Sequence, residues 1–80
     1  MEKREIFEVL KTIIGRINNN AKIEYSTALI GESVLDSLEF MNYLTKVEES
    51  FKIKISDSEV ASKSLGIVEN MVNHISTKIS

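Results

Sequence analysis

Apolar residues recur at helical spacing near the start of the 80-residue chain. Positions three and four residues apart lie on one face of an α-helix, so this pattern predicts an amphipathic first helix. Glu2 and Glu5 lie in its predicted first turn, where carboxylates interact favourably with the helix dipole. Asn18, Asn19 and Asn20 are expected to end the helix, because asparagine tolerates the left-handed conformation that often follows one. The apolar residues of this helix are Ile6, Phe7, Leu10, Ile13, Ile14 and Ile17.

A second apolar stripe predicts a helix from Ser37 to Phe51. Asp36 and Glu39 lie three residues apart ahead of this stripe, which is the acidic form of a capping box and makes Asp36 the expected N-cap. Ser37 is then the first helical residue. The stripe expected to face the core consists of Phe40, Tyr43, Leu44, Val47 and Phe51. Six other side chains are expected on the outer face of this helix: Leu38, Met41, Asn42, Thr45, Glu48 and Glu49.

Two further helices are predicted after Phe51. The segment 52–55 alternates like a strand but has no partner, so it is expected to be an extended connector that inserts Ile53 or Ile55 into the core. Ser56 and Glu59 form another capping box, which predicts a short third helix from about Asp57 to Ala61. Ser64 is expected to cap the last helix, with His74 at the rim of its apolar face. That face consists of Leu65, Val68, Met71, Val72, Ile75 and Ile79.

The segment from Ala21 to Leu35 lacks helical periodicity and is predicted to be a long loop between the first two helices. Ile23, Leu29 and Ile30 are the apolar residues expected to hold it against the bundle. A loop of this length is unusual in so small a domain unless it is functional or well packed. The sequence therefore predicts one all-α domain over residues 1–80, a small four-helix bundle with three main helices and one short one.

Composition narrows the class of protein. The apolar fraction of 42% argues against a disordered chain, and no run of residues is apolar enough to span a membrane. Lys3, Arg4 and Glu5 are followed by a mixed, charged segment instead of the apolar core of a signal peptide. Because the chain has no cysteine, neither a disulfide framework nor a thiolate metal site is expected, and a cytoplasmic location is the simplest interpretation.

The net charge of −2 is unevenly distributed along the chain. The acids concentrate between Glu32 and Glu59, a stretch that is negative overall, whereas the segments on either side are slightly positive. This distribution disfavours binding to nucleic acid, which requires a basic patch. It favours protein partners with basic surfaces, mainly through steering and orientation.

Ser37 is the residue best placed to carry chemistry. Its hydroxyl is not needed for capping, and a phosphate ester on that oxygen would lie at the positive end of the helix dipole. The motifs around it resemble those of the acyl carrier protein family. They are Asp36-Ser37-Leu38 opening a helix, Glu48-Glu49-x-Phe51 ending it, Ile53-x-Ile55, and a short acidic helix from Asp57. The resemblance covers roughly the whole chain and is most specific from Leu29 to Glu59.

This resemblance implies that Ser37 carries 4'-phosphopantetheine, a covalent arm whose thiol holds acyl groups as thioesters, with Asp36 capping the helix beside it. The implied role is a monomeric, non-catalytic phosphoprotein of fatty acid, polyketide or related specialised biosynthesis. The implied partners are a phosphopantetheinyl transferase and acyl-loading and acyl-processing enzymes with basic docking surfaces. The implied docking residues are Leu38, Met41, Glu48 and Glu49.

The chain departs from the family at positions near the serine. The family commonly has glycine three or four residues before the serine, where this chain has Val34 and Ser33. The pair Val34-Leu35 is more similar to specialised carriers, including aminoacyl and peptidyl ones. Phe40 stands at a position that resembles a lining position of the family's acyl cavity, where the residue is usually smaller. We therefore expect this carrier to shelter long acyl chains poorly and to favour short, polar or externally held cargo.

Two other function classes compete with a carrier. A helical adaptor would bind a partner through Leu38 and Met41, with Ser37 serving only as the first residue of a helix. An enzyme that used Ser37 as a nucleophile would need a base for it, and His74 is the only histidine of the chain. No residue pattern supplies a third, orienting group or an oxyanion hole for such a pair. The sequence therefore favours a carrier, with the aminoacyl or peptidyl type and the adaptor as alternatives.

Overall fold

The computed structural model describes residues 1–79, which form four α-helices. Helix α1 spans Lys3–Ile17, α2 Ser37–Phe51, α3 Asp57–Ser62 and α4 Val68–Ile79. These residues contain no strand, and their only β-contact is an isolated antiparallel bridge between Ala28 and Ile67. The predicted all-α fold, with three main helices, one short helix and a long loop after the first, is confirmed.

The hydrophobic core lies between the inner faces of α1, α2 and α4. Helix α1 packs against both α2 and α4. Tyr43 and Val47 are the buried residues of α2, and Leu29 and Leu35 extend the core from the loop. Removal of these apolar side chains from water is the main favourable term in folding. The buried residues of α1 and α4 are Ile6, Leu10, Ile13, Ile14, Val68, Met71, Val72 and Ile75.

The end of α1 lies where the asparagine run predicts it, but the expected geometry is wrong. Asn18 is extended, with φ −136°, and is not left-handed. Its backbone N–H donates to the carbonyl of Ile14 at 2.8 Å, and its side-chain Nδ2 donates to the carbonyl of Val34 at 2.9 Å. The amide side chain therefore joins the end of α1 to the chain just before α2. This contact places the end of α1 beside the start of α2.

The start of α4 differs from the prediction. Ser64 does not cap this helix, which begins at Val68, four residues later. Instead, the N–H of Val68 donates to the carbonyl of Thr27 at 3.0 Å, and the N–H of Glu69 donates to the carbonyl of Tyr25 at 2.8 Å. Backbone carbonyls of the long loop thus satisfy donors that a helix leaves unpaired at its N-terminus. The cap comes from a segment about forty residues away, so no local sequence signal marks it.

Leu29 anchors the long loop. Its side chain is fully buried, its N–H donates to Gly66 at 2.8 Å, and its carbonyl accepts the N–H groups of Val34 and Leu35 at 2.9 and 3.0 Å. Ile23 also packs against the core, but Ile30 is 45% exposed, so its expected role as an anchor is wrong. The loop is therefore a packed segment that fixes the position of the chain entering α2.

One carboxylate of α3 contacts two side chains of α4. Among its described residues none is fully buried. Oε2 of Glu59 lies 2.6 Å from Nε2 of His74 and 3.0 Å from Nζ of Lys78. Glu59 also closes the predicted capping box, because its backbone N–H donates to Oγ of Ser56 at 3.1 Å. The half-buried His74 therefore lies at the rim of α4, as predicted, and contributes to the attachment of α3.

The contacts of Glu59 predict how stability depends on pH. The Lys78 ammonium, followed by the backbone N–H of Ser56 and by His74, lowers the pKa of Glu59 from its ordinary 4.5 to about 2. A carboxylate with a lowered pKa in the folded state contributes stability that is present above its unfolded pKa and is lost as the pH falls towards the folded value. We therefore expect Glu59→Gln to be less stable than the wild type at pH 6–7.

The thermal midpoints of the two proteins should converge between pH 4.5 and 2, because the wild-type carboxylate becomes protonated there. Glu24→Gln is a matched control, since Glu24 is exposed, and its midpoint should follow the wild type at every pH. Thermal unfolding followed by circular dichroism from pH 7 to 2 measures both differences. A constant difference between wild type and Glu59→Gln across this range would contradict the assignment.

Candidate functional site

The site begins at the first residue of α2. Ser37 is exposed, and its hydroxyl makes no hydrogen bond to any residue from 1 to 79. The side chain is therefore accessible to another molecule. It stands at the end of a helix that carries a partial positive charge, because the first N–H groups have no partner within the helix. This combination suits a serine that is to carry an anionic group.

Asp36 fixes the start of the helix, as the capping box predicts. Its Oδ1 accepts the backbone N–H of Glu39 at 2.8 Å, and its own N–H donates to Oε1 of Glu39 at 3.0 Å. The backbone of Asp36 is extended, with φ −84° and ψ −177°, as an N-cap requires. The N–H groups of Ser37 and Leu38 are left as donors at the helix start. Ser37 is thus held at a defined first position, beside donors that favour an anion.

Replacement of Asp36 tests whether this cap controls the site. Asp36→Ala should lower the free energy of unfolding by about 0.5–2 kcal/mol, because alanine cannot accept the N–H of Glu39. Asp36→Asn should lower the free energy of unfolding much less, since asparagine is an equally good N-cap. Urea unfolding of both variants beside the wild type measures the difference. Equal losses in the two variants would mean that the charge of Asp36, and not its capping bond, stabilises the start of α2.

The turn that leads into the site contains an unusual backbone conformation. Ser33, four residues before Ser37, has φ 58°. This left-handed region is the one that glycine enters freely and that costs other residues about 1–2 kcal/mol. The N–H of Ser33 donates to the carbonyl of Ile30 at 3.0 Å, and the next N–H, of Val34, donates to Leu29. The packed loop therefore imposes on a serine a backbone geometry that glycine would adopt more readily.

Two large apolar side chains lie exposed beside Ser37. Leu38 is 79% exposed and Met41 is 64% exposed. They are three residues apart on the helix and so are neighbours on its surface, within one turn of the serine. Single exposed apolar residues are common on soluble proteins. Leu38 and Met41 nevertheless form a small apolar surface next to the accessible hydroxyl of Ser37. A protein that acts on this hydroxyl could contact that surface.

The two acids predicted to complete this surface occupy different environments. Glu49 is exposed, with its Oε1 3.7 Å from Nζ of Lys46. Glu48 is half-buried, and its Oε2 accepts the N–H of Ile55 at 2.8 Å. The expectation that Glu48 lies free on the outer face is therefore wrong, because the connector after α2 folds back onto it. Both acids lie in the last turn of α2, far from Ser37. Glu49 is twelve residues after Ser37, which corresponds to about 18 Å along the helix.

Other kinds of site are not assembled around Ser37. No hydrogen bond joins it to His74 within the described chain, since the imidazole contacts Glu59 instead. Over residues 1–79 no group of three or more His, Cys, Asp or Glu side chains is arranged to hold a metal ion. None of the helices described is both long and apolar enough to cross a membrane. The sequence did not predict the cluster of Glu59, His74 and Lys78, since it depends on how α3 packs on α4.

Comparison with models of known protein families gave no match, and no curated protein matched the chain. The resemblance to acyl carrier proteins therefore stays a prediction.

Proposed function

We propose that the chain is a non-catalytic acyl carrier protein and that Ser37 is the attachment site of its 4'-phosphopantetheine arm. The observation that carries the proposal is the Asp36-Ser37-Leu38 motif at the start of α2, with the serine exposed and the helix capped beside it. A carrier requires a hydroxyl that a modifying enzyme can reach, held on a rigid element. Ser37 meets both requirements.

The residues around Ser37 fit a phosphate ester on its hydroxyl. The backbone N–H groups of Ser37 and Leu38 and the helix dipole favour an anion there. Ser33 has a left-handed backbone, which glycine adopts most readily, and carriers commonly have a glycine three or four residues before the serine. When bound, the arm would supply a thiol, which the chain itself lacks because it has no cysteine.

The chain's own residues would act by positioning. Asp36 holds the first turn of α2, so the attachment point stays fixed relative to the bundle. Leu38 and Met41 offer an apolar contact to a partner enzyme beside that point, and the exposed Glu49 offers a negative charge further along the helix. Tethering presents the cargo to successive enzymes at high effective concentration. No bond-making step is assigned to any side chain of this protein.

The proposed partners follow from the same surface. They are a phosphopantetheinyl transferase and acyl-loading and acyl-processing enzymes with basic docking surfaces, because α2 carries the exposed acid Glu49 further along the helix from its apolar pair. We assign the protein to the cytoplasm, as a monomer, in fatty acid, polyketide or related specialised biosynthesis. An aminoacyl or peptidyl carrier is the alternative within the same mechanism, and it is suggested by Val34 and Leu35 before the motif.

A helical adaptor is the second candidate function. The exposure of Leu38 and Met41 favours it, since such a pair could bind a partner with no arm on Ser37. The carrier and the adaptor differ in whether Ser37 is covalently modified. A carrier accepts phosphopantetheine on Ser37, whereas an adaptor has no need of it.

Intact-mass spectrometry separates the two functions. Wild-type protein, Ser37→Ala and Ser33→Gly are each incubated with a broad-specificity phosphopantetheinyl transferase and coenzyme A. The wild type should gain the mass of one phosphopantetheinyl group, and Ser37→Ala should gain none. Ser33→Gly is the matched control, because it removes the nearest preceding serine and relieves a left-handed backbone strain. It should be modified as fully as the wild type.

The outcomes are distinct. An unmodified wild type would contradict the carrier and leave the adaptor. Modification that persists in Ser37→Ala would overturn the assignment of the residue.

A further inference from the structure

A groove runs between α1 and α2. Its volume is about 540 Å³, within the range of about 300–1,000 Å³ that is typical of small-molecule sites. It reaches the first turn of α2 at Glu39, two residues after Ser37. The described residues that line it are Ile13, Arg16, Ile17, Glu39, Asn42, Lys46 and Ser50.

The groove has both apolar and polar lining residues. Ile13 is 8% exposed and Ile17 is half-buried, so α1 contributes hydrocarbon to the lining, together with the cation Arg16. The polar residues of α2 follow at intervals of three or four, which places them in one row along the helix. The hydrogen bond between Asn18 and Val34, 2.9 Å long, places the end of α1 beside the start of this row. The groove therefore begins near the first turn of α2 and runs along the polar row of that helix.

Two cations give the groove a positive character within a chain of net charge −2. Arg16 lies in the last turn of α1 and makes no ion pair with any residue from 1 to 79. Lys46 has only a distant, exposed pair with Glu49 at 3.7 Å, and such surface pairs contribute little energy. The groove has one acid, Glu39, whose Oε1 accepts the N–H of Asp36, so the two cations outnumber the single carboxylate. The charges of the groove therefore complement a small anion.

The interior of the bundle offers less room for a tethered group. Tyr43 is fully buried, and its ring lies 5.6 Å from that of Phe40, centroid to centroid. These two aromatic side chains fill the inner face of α2 next to the site, and a close-packed interior leaves few voids. A cargo attached near Ser37 is thus better accommodated in the external groove than in the core.

We propose that the groove between α1 and α2 binds an acyl cargo that ends in a carboxylate, with Arg16 and Lys46 contacting the carboxylate and Ile13 and Ile17 contacting the carbon chain. This role rests on the carrier function proposed for Ser37. The size of the groove favours a small tethered group over a segment of another protein. Arginine is suited to a carboxylate because its guanidinium can donate two parallel hydrogen bonds to it.

Two matched cargoes test this role. The transferase is supplied with glutaryl-coenzyme A or pentanoyl-coenzyme A, which have the same carbon chain length and differ in the terminal carboxylate. Intact mass first establishes that each arm has been added to isotope-labelled protein. Backbone amide and isoleucine methyl NMR shifts of the two forms are then compared. The glutaryl form should show additional shifts at Ile13, Arg16, Ile17 and Lys46.

Substitutions identify the residues responsible for these shifts. Arg16→Gln and Lys46→Gln should each reduce the glutaryl-specific shifts towards the pentanoyl pattern, and the double variant should lose them. Lys54→Gln is the matched control, because Lys54 is an exposed cation of the connector outside the groove. It should leave the glutaryl-specific shifts unchanged. Raising the salt concentration should weaken them, since the contacts are charged and exposed.

Each of the remaining outcomes would overturn the proposed role of the groove. Identical glutaryl and pentanoyl spectra would overturn the role of the groove while the arm on Ser37, already seen by mass, upholds the carrier function. Glutaryl-specific shifts centred on Tyr43 and Val47 would place the cargo in the core and overturn it as well. Absence of any added arm would refute the carrier function, and the role of the groove with it.

Discussion

Leu29→Ala is expected to lower the free energy of unfolding by about 2–5 kcal/mol, the range for a buried leucine whose removal leaves a cavity. The side chain is fully buried although it belongs to a loop. Its backbone joins the loop to Gly66 and supports the turn at Val34 and Leu35, just before the site. Because domains of this size have only about 5–15 kcal/mol of stability in all, the variant should unfold at a much lower urea concentration.

Ile30→Ala is the matched control for Leu29→Ala. It removes a side chain of the same size from the next position, where the wild-type residue is 45% exposed. Its effect should stay within about 0.5 kcal/mol, as is usual for exposed positions. Urea unfolding followed by circular dichroism measures both variants. Equal losses at the two positions would contradict the packing of the loop and, with it, the fixed position of the chain that enters α2.

Glu48→Ala is expected to destabilise the protein by about 1.5–3 kcal/mol, the range for a hydrogen bond to a charged group. Its carboxylate accepts the N–H of Ile55 at 2.8 Å, and its backbone carbonyl accepts the N–H of Ile53 at 3.1 Å. Removal of the carboxylate leaves the half-buried N–H of Ile55 without its partner. Glu48→Gln should recover part of the loss, since the amide oxygen can still accept.

Glu49→Ala is the comparison for Glu48, one residue away and exposed. Its effect on urea unfolding should stay within about 0.5 kcal/mol. Because Glu49 is exposed, its side chain can contact a partner protein, and its replacement should not disturb the fold. Glu49→Lys should therefore slow loading by a basic partner, more at low salt than at high salt. Equal stability losses for the two alanine variants would refute the structural role of Glu48, and salt-independent loading would refute docking through Glu49.

Helix starts marked by a local side-chain pattern could be predicted from the sequence. Asp36 with Glu39 and Ser56 with Glu59 each place donor and acceptor within one turn, so the start of α2 and of α3 follows from residues three apart. The core faces of α1 and α2 followed from the helical period for the same reason. Ser37 was identified in this way, because its position depends only on its neighbours in the chain.

Features that depend on distant residues could not be predicted. The start of α4 is capped by the backbone carbonyls of Thr27 and Tyr25. The sequence around Val68 contains no pattern that predicts this contact. Ile30 and Leu29 are similar in hydropathy, yet only the course of the loop decides which of them is buried. Glu48 has the charge of a surface residue, but the connector folds back to its carboxylate. In each case tertiary contact overrides a local preference.

The arrangement of the candidate site was predictable in part for the same reason. The serine, its cap and the apolar pair beside it lie within six consecutive residues, so their proximity is dictated by the helix. The groove brings Arg16 of α1 to the side of α2, and the cluster at Glu59 brings together α3 and α4. Both depend on how the helices pack. The apolar period of a helix predicts which face is buried, but it does not predict which residues of other helices that face contacts.

The carrier function is tested most directly by locating the added group within the chain. After reaction with the transferase and coenzyme A, cleavage at lysine yields one peptide, residues 23–46, that contains Ser26, Ser33 and Ser37. Fragmentation of this peptide in a mass spectrometer assigns the added group to a single residue. The proposed function predicts a phosphopantetheinyl group on Ser37 and on no other residue of the peptide. A group on Ser26 or Ser33, or an unmodified peptide, would contradict it.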